Sequence, residues 1–294
     1  MRVSLVFLAA ALSATALQAQ TNYDTIQVRA TAVARGVHML VGAGGNIAVA
    51  VGDDAVFIVD DQFAPLTPKI QAAIAALTSK PVKFVVNTHW HNDHTGGNEN
   101  FGKAGAMIVA HDNVRKRMST EQFIAALNRR EPASPAAALP VVTFSDGVTF
   151  HINGDSVVVT HVAPAHTDGD AIIRFLKANV VHMGDVFNNA GLPFVDLSSG
   201  GSINGIIAAA EQVYAMTDAQ TKIIPGHGAL TDRDRLKQYR EMLVALRDRM
   251  RREVAAGRTV DQVIALKITE AYAKDFPGGH ERFVRLLHEE LSKR

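Results

Sequence analysis

Residues 88–97 read Thr-His-Trp-His-Asn-Asp-His-Thr-Gly-Gly, and His89, His91, Asp93 and His94 within them are all residue types that hold divalent metals. Imidazole nitrogen combined with carboxylate oxygen suits zinc and also accommodates iron or manganese. The preceding run, residues 82–86, is apolar but for Lys83 and has the composition of a short buried strand. Gly96 and Gly97 then permit a tight backbone path. A strand that delivers three imidazoles and a carboxylate into one turn is costly unless a cation joins them. A lone His-x-His pair would mean little. The ordered set behind an apolar strand leads us to expect one divalent metal or two.

Three more points in the chain have the same character. His166 falls in a turn after a strand-like run, Asp185 follows His182-Met183-Gly184, and His227 stands between Gly226 and Gly228. Each sits where an apolar run gives way to a loop, the edge at which ligands collect in layered α/β folds. The chain has no cysteine, so thiolate ligands, disulfides and a Cys nucleophile are excluded. It also lacks a Gly-x-Ser-x-Gly segment, which removes the usual serine nucleophile turn.

In order and spacing, the series His-x-His-x-Asp-His, lone His, Asp after Gly, and Gly-His-Gly resembles the metallo-β-lactamase superfamily of hydrolases over roughly residues 33–232. The resemblance implies a four-layer αββα sandwich with a dinuclear metal site at one edge. On that reading His89, His91 and His166 hold one metal, and Asp93, His94 and His227 hold the other. Asp185 would bridge them, as in glyoxalase II-like and lactonase branches, whereas β-lactamase branches usually carry Cys or Ser there. The cofactors implied are two divalent ions, zinc foremost, with iron or manganese admissible. A metal-bound hydroxide would attack a carbonyl, with Asp93 as the catalytic carboxylate that orients the water. Asp60 resembles a carboxylate that orients a ligand histidine. His182 and the remaining histidines fall outside the ligand pattern, and core packing is expected of Trp90.

β-Lactam hydrolysis is the leading named activity; lactone, ester or thioester hydrolysis is the alternative, with diiron redox members a further one. Two features weigh against a β-lactam. One is Asp185. The other is the loop at residues 186–202, which contains no Lys or Arg to pair with a drug's carboxylate, only weaker partners such as Asn188 and Asn189.

The elements that must position these residues follow from hydrophobic pattern. Strands are expected at 37–41, 47–51, 55–60, 82–86 and 106–110, with helices at 67–77 and 113–128. Residues 131–140, with three prolines and four alanines, read as irregular chain. A strand-rich block occupies 141–144, 148–152, 157–162, 171–176 and 179–183, followed by a helix at 203–216 and a strand at 222–224. From residue 231 the chain is helical in three pieces, punctuated near Gly257 and at Pro277-Gly278-Gly279. Two strand–helix halves predict two packed sheets with helices outside, an α/β four-layer sandwich. Leu236, Tyr239, Leu243 and Leu246 form an apolar stripe, so residues 233–294 are expected as a helical extension packed on the 20–232 domain.

Lysine plus arginine number 30 against 29 acidic residues, interspersed, which leaves no nucleic-acid footprint. The one basic cluster, at 247–252, reads as a solvated helix face. Arg2 followed by the apolar run 3–12 and small residues has the layout of a secretory signal peptide over 1–19, too short to span a bilayer. The expectation is a periplasmic or secreted protein with no membrane span after cleavage, a small-molecule substrate, and a monomer or homodimer.

Overall fold

A computed structural model describes residues 21–293 of the chain, so the leader expected at 1–19 lies outside the described residues. The first sheet takes strands β1 (Arg29–Ala34), β2 (Val37–Val41), β3 (Ile47–Ala50), β4 (Val56–Val59), β5 (Val82–Val86), β6 (Met107–His111) and β9 (Val142–Phe144), hydrogen-bonded in that order. β7 (Gln122–Ile124) and β8 (Arg129–Glu131) form a separate hairpin. The second sheet runs β10 (Gly147–Ile152), β11 (Asp155–His161), β12 (Ala171–Phe175), β13 (Val180–His182), β14 (Lys222–Ile224) and β15 (Thr231–Asp232).

Pairing is antiparallel from β1 to β4 and parallel from β4 through β9. Parallel neighbours need crossovers, and helices α1 (Thr67–Ala75), α2 (Asn92–Thr95), α3 (Asn98–Lys103) and α4 (Asp112–Met118) lie in those connections. In the second sheet only β13 and β14 pair in parallel, and α5 (Ile203–Met216) makes their crossover. The chain ends with α6 (Arg233–Ala255), α7 (Val260–Ala265) and α8 (His280–Ser292).

Strand β4 shows why its sequence is continuously apolar. Phe57 and Val59 face the second sheet and join Val157, Val159, Ile173 and Phe175 in the core between the sheets. Val56 and Ile58 point the other way, against Ile70 and Ile74 of α1. A strand buried on both faces has no polar positions to offer. The outer face of the second sheet is covered by α5, α6 and α8 through Ile206, Val213, Leu236, Leu243, Phe283 and Leu287. The four layers expected from the sequence are therefore present, with the C-terminal helices on the second sheet.

One local expectation is corrected, and one strand is added. The helix expected at 113–128 stops at Met118, and the remainder becomes the β7–β8 hairpin. The Arg117 guanidinium grips Asp168 at 2.7 and 2.8 Å and also donates to Gln122, which turns the chain away. Asn128, at φ 46°, reverses it in the left-handed region that Asn tolerates, and Ile124 is buried beside Trp90. Strand β1 was not anticipated, because an exposed edge strand reading Arg-Ala-Thr-Ala-Val-Ala has no apolar alternation to reveal it. Among the described residues, no helix is long and apolar enough to cross a membrane. In the basic cluster, Arg247 and Arg251 pair with Asp248 while Met250 is buried, as on an ordinary amphipathic helix.

Candidate metal centre

Strand ends from both sheets meet at one edge. β4 leads into Asp60, β5 leads into residues 87–94, and the β11–β12 turn carries His166. β13 runs into Asp185, and β14 into His227. All seven candidate ligands are brought together there, in three overlapping groups. These are His89, His91 and His166; His89, His94 and Asp185; and Asp93, His94 and His227, each with ligand atoms within 4.8 Å of one another. Asp185 Oδ1 lies 3.1 Å from His94 Nε2 and 3.4 Å from His227 Nε2. Its Oδ2 lies 3.7 Å from His166 Nε2. One carboxylate thus faces both histidine clusters. Asp93 Oδ2 lies 3.2 Å from His227 Nε2 and 3.7 Å from His94 Nε2.

The hydrogen bonds behind the rings decide which nitrogen each presents. His166 Nδ1 donates to the Phe194 carbonyl at 2.6 Å, which leaves its Nε2 as a lone pair. His91 Nε2 donates to the Asp196 carboxylate at 3.0 Å, which leaves Nδ1 as a lone pair. Those two free nitrogens face each other at 2.8 Å. Two lone pairs at that distance repel unless a cation sits with them. His89 Nε2 is buried beside them with no hydrogen-bond partner among the described residues, an orphan that a bound ion would explain.

Asp60 organises the other rings. It is fully buried and accepts from Thr88 N at 2.7 Å, Thr88 Oγ1 at 2.8 Å and His94 Nδ1 at 2.8 Å. Thr88 Oγ1 also lies 3.0 Å from His89 Nδ1. The polarity that satisfies every group runs from His89 Nδ1–H to Thr88 and from Thr88 O–H to Asp60. Asp60 therefore frees Nε2 of His94 directly and of His89 through Thr88.

Electrostatics agree with this donor set. Burial, followed by the charges of His94 and His166, holds His89 well below its ordinary value, and burial pulls His166 down to about 4. Both rings are neutral and able to ligate. Burial opposes charge on Asp185, but His227 and His94 outweigh it and hold the carboxyl well below its usual range. The facing Asp185 carboxylate lifts His227 to about 10. Burial disfavours a charged His94, yet Asp185, Asp93 and Asp60 together raise it well above the ordinary value. Carboxylates that hold protons on neighbouring rings this firmly are suited to hold a divalent cation in their place.

The supporting residues were less visible in the sequence. Asp196 is fixed by the Ser198 and Ser199 hydroxyls at 2.6 Å each, and Trp90 Nε1 donates to Ser199 Oγ at 3.2 Å, so Trp90 packs behind His91. The only hint of this role was a carboxylate in a loop with two serines. Asn46 donates to the carbonyls of Pro225 and Gly228 at 2.9 Å each and so pins the loop of His227. His182 spends both nitrogens on that scaffold, donating to Asn46 O at 3.0 Å and accepting from Gly184 N at 3.1 Å, so it has none for a metal. Gly226 is required by closeness: a Cβ there would lie 2.0 Å from Asp185 Oδ1.

A cleft of about 420 Å³ opens over the centre, with His91, Asp93, Asp185 and His227 exposed to it. Phe63, Ile124, Leu127 and Phe194 supply apolar walls, and Arg129 and Arg282 also line it. A larger cavity, about 510 Å³, opens among the β1–β2, β3–β4 and β10–β11 turns but contains none of the seven ligands.

An αββα sandwich with this His and Asp edge defines the class of metal-dependent hydrolases built on two packed sheets. Residues 41–250 match the metallo-β-lactamase superfamily, and the chain belongs to that family. A hydroxyacylglutathione hydrolase from a Polaromonas species is 28% identical over 181 residues, which is 60% of this chain and 60% of that one. The enzyme of the same name from Nitrosococcus oceani is 27% identical over 166 residues, 55% of each chain. The chain thus spans less than two thirds of the length of the curated relatives it matches. Among solved structures, a metallo-β-lactamase from Pontibacter korlensis superposes with a TM-score of 0.61 at 19% identity, covering 74% of this chain and 99% of its own. The DIM-1 metallo-β-lactamase gives 0.58 at 19% identity, covering 74% and 98%. These structural matches show a shared fold.

Proposed function

We propose that the protein is a dinuclear metal-dependent hydrolase of an activated carbonyl, with a thioester or ester as the leading substrate class. The observation that carries this is Asp185, whose two oxygens face the His94–His227 pair and His166 from a single side chain. His89, His91 and His166 would hold one ion, Asp93, His94 and His227 the second, and Asp185 both. Two zinc ions held there would supply acidified water near neutral pH and polarise the substrate carbonyl.

The chain's own residues do the rest. Burial opposes charge on Asp93, but His94 and His227 keep the carboxyl well below its usual range, so it stays ionised at the cleft. It can accept a hydrogen bond from the attacking water and set its direction. His91 and His166 are locked by Asp196 and the Phe194 carbonyl and cannot rotate away during turnover. The apolar walls keep bulk water from competing for the substrate.

Thioester chemistry leads because the curated relatives are hydroxyacylglutathione hydrolases and because Asp185, rather than Cys or Ser, faces both histidine clusters. A β-lactam is the second reading. The loop at 186–202 lacks a cation, but Arg129 and Arg282 line the same cleft from other elements and leave a carboxylate-bearing ring admissible. Export through residues 1–19 belongs to this proposal, and N-terminal sequencing of protein from a periplasmic fraction tests it.

The deciding experiment is hydrolysis of a hydroxyacyl-glutathione thioester and of a chromogenic cephalosporin by the zinc-loaded protein, with elemental analysis before and after chelation. Thioester turnover lost on chelation and restored by zinc is the expected result. Turnover of the cephalosporin alone would promote the second reading. Two bound metals with no turnover of either substrate would reject both.

A further inference from the structure

Two histidines outside the candidate ligand groups, His111 and His161, meet where the sheets meet. His111 ends β6 in the first sheet and His161 ends β11 in the second. Their rings stack with centroids 3.7 Å apart and 11° between the planes. The Phe144 ring packs against His111 edge-on at 5.9 Å. His111 Nδ1 accepts from Asn113 N at 3.2 Å and so caps α4. A ring nitrogen that accepts a hydrogen bond carries no proton, so this imidazole is neutral. His161 Nδ1 donates to the Asp170 carbonyl at 2.9 Å, which fixes the second ring.

Helix α4 in turn holds residues 166–170, the turn that carries the candidate ligand His166. Asn113 Nδ2 donates to Asp168 O at 2.8 Å, and the Arg117 guanidinium takes the Asp168 carboxylate at 2.7 and 2.8 Å. Val114 lies so close to Gly169 that a Cβ there would come within 2.9 Å of its Cγ2. Inside the turn, the buried Asp170 carboxylate accepts from His166 N at 2.6 Å, Thr167 N at 2.9 Å and Thr167 Oγ1 at 2.5 Å. His166 is thus seated by a turn that α4 grips from one side and His161 from the other.

A proton arriving at His111 Nδ1 turns the acceptor into a donor that confronts Asn113 N–H. Rotating the ring gives no relief, because both nitrogens of a protonated imidazole donate. The His161 ring lies flat against one face and blocks retreat on that side. Relief has to come from the start of α4, which takes Asn113 and Arg117 with it. The charged and titratable groups facing His111 are His161 from β11, Asp112 from α4 and Asp168 from the turn. β9 presents only the uncharged Phe144. Asp112 is engaged by Ser145 Oγ at 2.6 Å, and Asp168 by Arg117, so neither is free to receive a new cation. We infer that His111 is a positioning residue for His166: proton uptake there uncaps α4, slackens its grip on the 166–170 turn and weakens metal retention. This adds regulation by acid to the metal-centre reading and rests on it.

The test measures zinc affinity of the full chain by chelator competition at about pH 7.5 and about pH 5.5, on either side of an ordinary imidazole pKa. Wild type, His111→Asn and His111→Ala are compared, because acid weakens zinc in all three through the ligand histidines. Asparagine caps a helix without titrating. His111→Asn should match wild type at the higher pH and exceed it about fivefold at the lower, the factor for a lost cap of ~1 kcal/mol. His111→Ala, which has no cap at any pH, should lie about fivefold below wild type at the higher pH and level with it at the lower. Parallel profiles for wild type and His111→Asn overturn the assignment. Should His111→Asn fail to fold, the wild type decides, by magnetic resonance titration of His111 beside hydrogen exchange at the Thr167 and Asp168 amides. Protection lost as His111 takes up its proton supports the inference, and protection unchanged through that titration overturns it. The same exchange measurement on the metal-free chain separates the two readings. If no zinc binds but protection follows His111, the acid response stands and the metal-centre reading falls.

Discussion

Asp60→Asn isolates the role of one buried carboxylate that touches no substrate. The side chain accepts three hydrogen bonds of 2.7–2.8 Å, from Thr88 N, Thr88 Oγ1 and His94 Nδ1. Asparagine keeps the volume and tolerates the backbone, which sits at φ 62°. Its single oxygen can still serve Thr88 N. Its amide nitrogen then confronts the hydroxyl and His94 Nδ1, both of which donate in the native arrangement. His94 can relieve that clash by moving its proton to Nε2, the atom that faces Asp185 and Asp93. The lone pair offered to the metal is then lost. A hydrogen bond to a charged group contributes about 1.5–3 kcal/mol. Loss of such a partner behind a ligand histidine costs about 10–100-fold in metal affinity. Zinc affinity measured by competition with a chromophoric chelator should fall by that factor, while circular dichroism of the metal-free protein stays native. Zinc affinity within twofold of wild type would show that Asp60 does not set the His94 tautomer.

Asp185→Ala should lower the metal content of both sites, because its two oxygens face both clusters; elemental analysis showing two tightly held ions would refute the bridging role. Gly226→Ala should destabilise the fold by about 1–3 kcal/mol through overpacking and weaken metal binding, since the new methyl meets Asp185 Oδ1 and the Gly184 backbone; an unchanged melting temperature would refute that contact. Away from the centre, burial and then the charge of His161, stacked at 3.7 Å, hold His111 below its ordinary value of 6.5. A lowered folded pKa means that the unfolded chain takes up the proton first, so this contribution to stability is present above about 6.5 and is lost as the pH falls toward the folded value. His111→Asn keeps a residue able to cap α4 and should flatten the melting-temperature slope between about pH 7 and pH 5.5; an unchanged slope would remove His111 from the acid response.

His89, His91, Asp93, His94, His166, Asp185 and His227, the candidate ligands named from the sequence, are the residues the structure brings together, because metal chemistry admits few residue types and each of them follows an apolar run that ends. The strand at 222–224 and the helix at 203–216 were read to the residue, and the αββα layering followed from the alternation of the two halves. Those features are local: a strand declares itself by its own composition, and a ligand by its own type. Residues 113–128 show where local reading fails. Helical composition there lost to the Arg117–Asp168 pair and to burial of Ile124, both made with distant chain. Among the residues that tune the centre, Asp60, 34 residues from His94, showed only through the family resemblance, and Asp196, which reaches His91 across 105 residues of sequence, did not show, for the same reason. Arg282 comes into the cleft from the last helix, although the loop beside Asp185, where a cation was sought, has none. The sequence by itself determined which residues are candidate metal ligands and which strands lead into them. Only the tertiary structure decided which nitrogen each ring presents and which side chains line the cleft, because both depend on hydrogen bonds and packing between segments whose proximity no local pattern records.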